Sequence, residues 1–290
     1  MRHSNFTIAV PDQVSYFTRI PLEVLKVPLN NKRIDVYYYL SFNKLRNDEI
    51  FYSLYDMVSF SGFSINTRNK KENSTLYNFQ DIMKWFVDNE YIIDYDQKQF
   101  TGNKGQRSKL NVEKFYPKNY GQIFDFEVDH IRDELHGSKK ITSSEVLIVL
   151  AYIRLKTWRR VTNTAGIEDR KNLKKKKPEI FYTYINRMAN ELNMTEYKVR
   201  SILEWLSKAG IIKFTQLPSN VVDKDRKKYF NKGLTIIVDM YRFKNIWQRS
   251  VNDNTYNPDK ELNLGRQYLM SSRINEKKYT DKQKGRTPDE

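Results

Sequence analysis

The stretch QDIMKWFVDNEYII around Trp85 returns as RSILEWLSKAGIIK around Trp205. Ile82 and Ile202, Trp85 and Trp205, and Tyr91-Ile92 and Ile211-Ile212 each lie 120 residues apart. In both copies apolar residues recur at helical spacing: Leu76, Phe79, Ile82, Met83 and Phe86 in the first, Val199, Ile202, Leu203 and Leu206 in the second. Each stripe ends in a short polar or glycine-containing stop, and a β-branched and aromatic run follows. A unit that occurs twice restricts the chain to folds built from two copies of one arrangement. Both tryptophans are expected in the core.

The residues ahead of each stripe extend the unit. In the first copy a leading segment with a strand in VSYFTRI precedes a helix capped by Asn30 or Asn31, with Ile34, Tyr37, Tyr38 and Leu45 on one face and Ser41 interrupting it. A short helix over Leu54 to Phe60 ends at Gly62, and a third helix spans Ser74 to Asn89. A hairpin follows, from YIIDYD to SKLNVEKFY, whose loop region holds Lys98, Lys104, Arg107 and Lys109. The second copy opens on Thr142-Ser143-Ser144-Glu145, a capping-box pattern, and runs through the helix EVLIVLAYIRLKTW. An interruption from Arg159 to Pro178 carries the Lys174–Lys177 run; the helices YTYINRMANEL and TEYKVRSILEWLSKAG follow, the latter capped by Thr195. Two strands, IIKFTQ and GLTIIVDMY, then flank a loop with Lys224, Arg226, Lys227, Lys228 and Lys232.

A third helix leading directly into a hairpin is the back half of a winged helix-turn-helix. The expected class is therefore α+β, mainly helical, with two tandem winged helix-turn-helix domains, a basic linker and a polar tail. The boundaries are 1–116 for the first domain, 117–140 for the bridge with a small helix at VDHIRDEL, 141–250 for the second domain with its basic insertion, and 251–290 for a tail without fixed structure. Eleven extra residues between the second and third helices of the first copy shift the offset from 131 at Met57 and Met188 to 120 at the tryptophans. Insertions of that kind belong in loops.

Charge points to the class of partner. The 51 Lys and Arg outnumber 35 Asp and Glu, a net +16, and residues 121–290 hold +12 of it. Such a field attracts nucleic acid or anionic lipid alike. No apolar run of about 18 residues is present, so a membrane partner is not expected. The absence of cysteine fits a cytoplasmic protein without disulfides and removes thiolate chemistry. His130 and His136 stand six apart with no metal-binding spacing, and TGNKGQRS lacks the order of a phosphate-binding loop. No enzyme, cofactor or metal is expected, and a DNA-nicking activity is disfavoured.

The N-terminal part of a recognition helix reaches base edges. The DNA-binding candidates are therefore Thr195, Tyr197, Lys198, Arg200 and Ser201, with Arg200 suited to guanine and Lys198 to phosphate. The loop residues Lys224, Arg226, Lys227 and Lys228 add backbone contacts. In the first copy Tyr77 and Asn78 face outward, supported by Arg68, Lys70, Lys71, Lys104 and Arg107, although Asp81 on the same helix repels phosphate. A protein-contact or dimerisation role for this copy is the alternative.

FTRIPLEVLK, LYDMVSFSGFS and DIMKWFVDNEYI, together with MANELNMTEYKVRSILEWLSKAGII, resemble the tandem winged-helix replication initiators and replisome organisers of plasmids and phages of low-GC Gram-positive bacteria. The likeness covers about residues 15–240, and the abundance of Asn, Lys, Ile and Tyr suits an AT-rich genome. The resemblance implies binding of double-stranded DNA at origin repeats and recruitment of a host helicase loader or helicase. A homodimer is a separate partner expectation, from the dimerisation reading of the first copy. A transcriptional regulator with the same two domains is the alternative.

Overall fold

The computed structural model describes residues 7–9, 16–26, 32–45, 47–65, 74–95, 105–157, 178–217, 233–241, 243–245, 250–251 and 256–283. About half of these residues are helical and the strands form small antiparallel sheets, an α+β arrangement. The first elements are β1 (Phe17–Pro21), α1 (Leu22–Leu25), α2 (Arg33–Phe42), β2 (Glu49–Tyr52), α3 (Leu54–Phe60), α4 (Thr75–Asp88) and β3 (Gln106–Lys109). Next come α5 (Val112–Phe115), β4 (Tyr120–Phe124) and α6 (Asp125–Glu134). The chain continues with α7 (Ser143–Lys156), β5 (Phe181–Thr183), α8 (Ile185–Glu191), α9 (Glu196–Lys208), β6 (Ile212–Gln216) and β7 (Thr235–Asp239). It closes with β8 (Phe243–Asn245), β9 (Ser250–Val251) and α10 (Pro258–Gln283).

Local chemistry explains where the helices start and stop. Ser53, Ser74 and Thr195 accept the backbone N–H of Asp56, Tyr77 and Lys198, satisfying first-turn donors of α3, α4 and α9. Thr142 and Glu145 form the expected reciprocal box at the start of α7. Gly62 and Gly210 follow α3 and α9 at φ 76° and 73°, a left-handed conformation that a side chain would strain. Helix α2 departs from expectation: Lys32 occupies its N-cap with no side-chain bond, and Asn30 and Asn31 lie outside the described residues.

The same order, helix, strand, helix, helix and closing strands, occurs from α2 to β3 and again from α7 to β7. Only the second set forms a three-stranded sheet, with its last strand in the middle. β7 pairs with β5 on one side and β6 on the other, while β3 pairs with β2 and Leu110 bridges to Ile92. Two strands differ from the sequence reading. Glu49–Tyr52 was not anticipated, and Phe181–Thr183 replaces the start of the helix expected over YTYINRMANEL, leaving α8 to begin at Ile185. Strands of three or four residues are too short for alternation to register against helical spacing.

Helix α7 is the centre of the molecule. Its residues Ser144 to Arg154 are all buried, as expected of a helix that is apolar on every side. It packs against α1, α2, α6, α9, β4 and β5. The segment 117–140, expected as a bridge, supplies part of this wrapping: β4 pairs with β1, and Ile123, Phe124, Val128 and Ile131 are buried. Gly121 presses its backbone onto α7 so closely that a Cβ there would sit 2.0 Å from the Ala151 carbonyl oxygen.

Three further expectations are corrected by packing. The 251–290 tail contains α10, whose Leu262 and Leu269 close a small apolar cluster with Ile180, Leu217, Leu234, Ile236 and Val238 on the β5–β7–β6 sheet. Its turn-spaced apolar residues were masked by the polar residues between them. Trp85 and Trp205 are half-buried against the core, because they stand beside the apolar stripe. The Arg33 guanidinium lies 3.6 Å from the Trp85 ring centroid and burial brings its pKa down to about 10, while the His130 ring lies 6.2 Å from that of Trp205. Leu45 falls beyond the end of α2 and is exposed.

Candidate nucleic-acid interface

Helix α9 is fastened by one face and open on the other. Val199, Ile202, Leu203 and Leu206 are buried, which fixes the rotation of the helix. Tyr197, Arg200 and Glu204 then point to solvent, with Ser201 half-buried and Tyr197 72% exposed. An aromatic ring so exposed, next to a guanidinium with no partner among the described residues, is a surface able to meet a base edge and a phosphate.

Lys198 and Thr195 have other work. The Lys198 ammonium donates to the Lys140 carbonyl at 2.8 Å and pairs with the Glu145 carboxylate at 3.2 Å. It therefore clamps the start of α9 to the start of α7, a role that the assignment of Lys198 to phosphate did not include. The carboxylate of Glu145 also accepts the Thr142 N–H, so one acidic side chain serves both the cap and the clamp. Thr195 spends its hydroxyl on the helix cap, accepting Lys198 N–H at 3.2 Å.

The equivalent helix of the first set offers a different surface. Phe79, Ile82, Met83 and Phe86 are buried, and Leu76 only partly. Tyr77 is exposed and Asn78 half-buried, but Asp81 and Asp88 flank the single exposed lysine, Lys84. Arg107 was expected in a loop; it lies in β3 and its guanidinium is paired with Glu49 across the β2–β3 ladder. The chain's positive charge lies elsewhere. The described residues hold 27 Lys and Arg against 25 Asp and Glu, leaving 24 against 10 in the remaining segments. Arg68, Lys70, Lys71, Lys104, Lys224, Arg226, Lys227 and Lys228 all lie outside the described residues.

Two buried polar clusters tie α7 to its surroundings: one joins it to the 117–140 segment and β7, the other to that segment and α2. Arg154 on α7 donates from Nη1 and Nη2 to the two Glu127 oxygens at 2.6 Å each, and from Nε and Nη2 to Asp239 at 2.9 and 3.0 Å. Its Nη1 also donates to the Gln122 carbonyl at 2.9 Å. Burial opposes the Arg154 charge, but the two carboxylates outweigh it and raise its pKa further; burial raises Glu127 despite the arginine beside it. The second cluster centres on Asp35 of α2, which accepts Ser144 Oγ of α7 at 2.5 Å and Arg132 Nη2 of α6 at 3.1 Å. Burial raises the Asp35 pKa, with Arg132 as the main opposing influence. Sequence reasoning missed both clusters. The available signal was a single arginine inside the apolar helix EVLIVLAYIRL, since a buried guanidinium requires carboxylate partners.

Among the described residues no group of three or more His, Asp or Glu side chains is placed to hold a metal ion, and no described helix is long and apolar enough to cross a membrane. No protein-family model and no curated protein matches the chain.

Proposed function

We propose that the chain is a tandem winged-helix protein that binds double-stranded DNA at origin repeats and initiates replication by recruiting a host helicase or its loader. The observation that carries this reading is the twice-occurring order of elements in which an amphipathic helix, α4 or α9, is held by its buried stripe immediately before the closing strands. A helix presented in that way suits the major groove. The exposed Tyr197 and Arg200 on α9 support base contact there, with Ser201 beside them. The chain's net charge of +16 supports phosphate contacts, and each phosphate neutralised steepens the salt dependence of binding. The reading is non-enzymatic and cytoplasmic, and any opening of the duplex draws on binding energy against a bending cost of a few kcal/mol, roughly.

For the first unit, the acidic Asp81 and Asp88 on α4 favour a second role, contact with a protein partner or with a second copy of the chain. Footprinting on the DNA flanking the gene tests the main reading. Protection of several direct repeats beside an AT-rich stretch is the expected outcome. A single protected site over a promoter would instead identify a transcriptional regulator, and no specific protection would remove the DNA-binding reading.

A further inference from the structure

The sheet of the second unit ends in an open edge. β7 lies between β6 and β5, so β5 pairs on one side only among the described residues. Beside this edge is a cavity of about 440 Å³, within the range of sites that take small ligands, lined in part by Tyr152, Lys156, Tyr182, Tyr184, Arg187 and Glu191. Tyr182 and Tyr184 stand two apart along extended chain and both line it, the residues 48% and 42% exposed. Phe181 faces inward and meets the Tyr152 ring edge-on with centroids 5.7 Å apart, which anchors the strand that carries the two open tyrosines.

The polar groups of the cleft are already arranged. The Glu191 carboxylate accepts Tyr152 Oη at 2.6 Å and Arg187 Nε at 3.1 Å, with Lys156 Nζ at 4.0 Å. Only one Arg187 nitrogen is engaged in this way, and its side chain is 74% exposed. One carboxylate against two cations leaves the cleft with net positive charge, beside two aromatic faces in water. Aromatic rings on a strand, flanked by cations, bind stacked bases with little regard to sequence. The 158–177 segment that separates α7 from β5 in the sequence carries eight Lys and Arg against two acidic residues, which favours a polyanion over an acidic peptide as the occupant.

We propose that this cleft binds a single strand of DNA, with successive bases stacked on Tyr182 and Tyr184 and phosphates along Lys156 and Arg187. The inference rests on the DNA-binding reading and extends it: the same protein that holds duplex through α9 holds an opened strand at β5. A paired duplex shields its base faces by stacking, so the tyrosines discriminate in favour of single strands.

The test is fluorescence anisotropy of the full chain with a labelled oligo(dT) of about 15 nucleotides and, separately, with duplex carrying the footprinted site. Each ring removed should weaken oligo(dT) binding roughly 5- to 150-fold, so Tyr182→Ala/Tyr184→Ala together should lose at least about 25-fold. Duplex affinity should stay within about 2-fold, and Tyr182→Phe/Tyr184→Phe, which keeps both rings, should bind oligo(dT) like the parent. Circular dichroism melting checks that the variants fold. Oligo(dT) affinity indifferent to the alanine pair, no oligo(dT) binding by the parent, or an equal loss on duplex would each overturn the cleft. Specific duplex binding in those cases leaves the DNA-binding reading intact. Tyrosine-dependent oligo(dT) binding without any duplex binding would remove the origin reading and keep the cleft.

Discussion

Replacing Arg154 with Met keeps most of the side-chain bulk and removes the cation that Glu127 and Asp239 share. The Arg154 side chain is 1% exposed and the two carboxylates 0% and 4%, so water cannot take over its role. Surface ion pairs contribute roughly 1 kcal/mol or less because solvent screens them, whereas stripping one partner from a buried pair costs about 3–5 kcal/mol. Here one residue leaves two carboxylates unmatched, along with a carbonyl hydrogen bond to Gln122. Against a typical total of about 5–15 kcal/mol this is a large fraction, equivalent to a Tm lowered by roughly 6–20 °C at this size. Urea unfolding followed by circular dichroism measures it.

The pH dependence gives an independent check on the same cause. With Arg154 gone, the burial that already raises Glu127 loses its main opponent and holds that carboxyl further above its unfolded pKa. Groups raised in this way favour the folded state below the unfolded pKa, and that contribution is lost as pH rises through the folded one. The deficit of Arg154→Met should therefore be larger at about pH 8 than at about pH 5. A deficit under about 1 kcal/mol, or one that is the same at both pH values, would refute the argument that unpaired buried charge is the cause.

Gly121→Ala should destabilise by roughly 1–3 kcal/mol, since its Cβ would meet the Ala151 carbonyl oxygen at 2.0 Å, more than Gly62→Ala, where nothing lies within 4 Å and only left-handed strain is added. Thermal melting of the two variants should rank them in that order. Leu262→Ala with Leu269→Ala should cost roughly 2 kcal/mol or more and increase binding of a hydrophobic dye, because α10 covers Ile236 and Val238; unchanged melting would mean that the tail contributes no packing. Arg200→Ala should weaken specific DNA binding by about 1–3 kcal/mol with no change in melting. Lys198→Ala should lower melting slightly, by about 1 kcal/mol or less, through loss of its contact to Glu145. Equal effects of the two variants on both measurements would erase the distinction between them.

Local patterns carried much of the architecture. The stripes of α4 and α9, the caps at Ser74, Thr142 and Thr195, and the left-handed glycines after α3 and α9 all depend on residues within one or two turns of each other. A period, a hydroxyl and a missing Cβ are visible in the chain before it folds. The outward positions of Tyr197 and Arg200 follow from the same periodicity, because burying one face of a helix exposes the opposite one.

Long-range packing set the rest. Whether residues 117–140 bridge or wrap depended on Gly121 reaching the Ala151 backbone, thirty residues away. Whether Lys198 was free depended on Glu145, fifty-three residues earlier, and the Tyr182–Tyr184 cleft required α7, β5 and α8 to converge. Periodicity assigns a residue to a face, but partners for buried charge are chosen by the strong cost of leaving that charge unpaired, and that choice is made between segments distant in sequence. The repeat and its helix faces were therefore written in local spacing. The joint through Arg154 emerged only when the segments met.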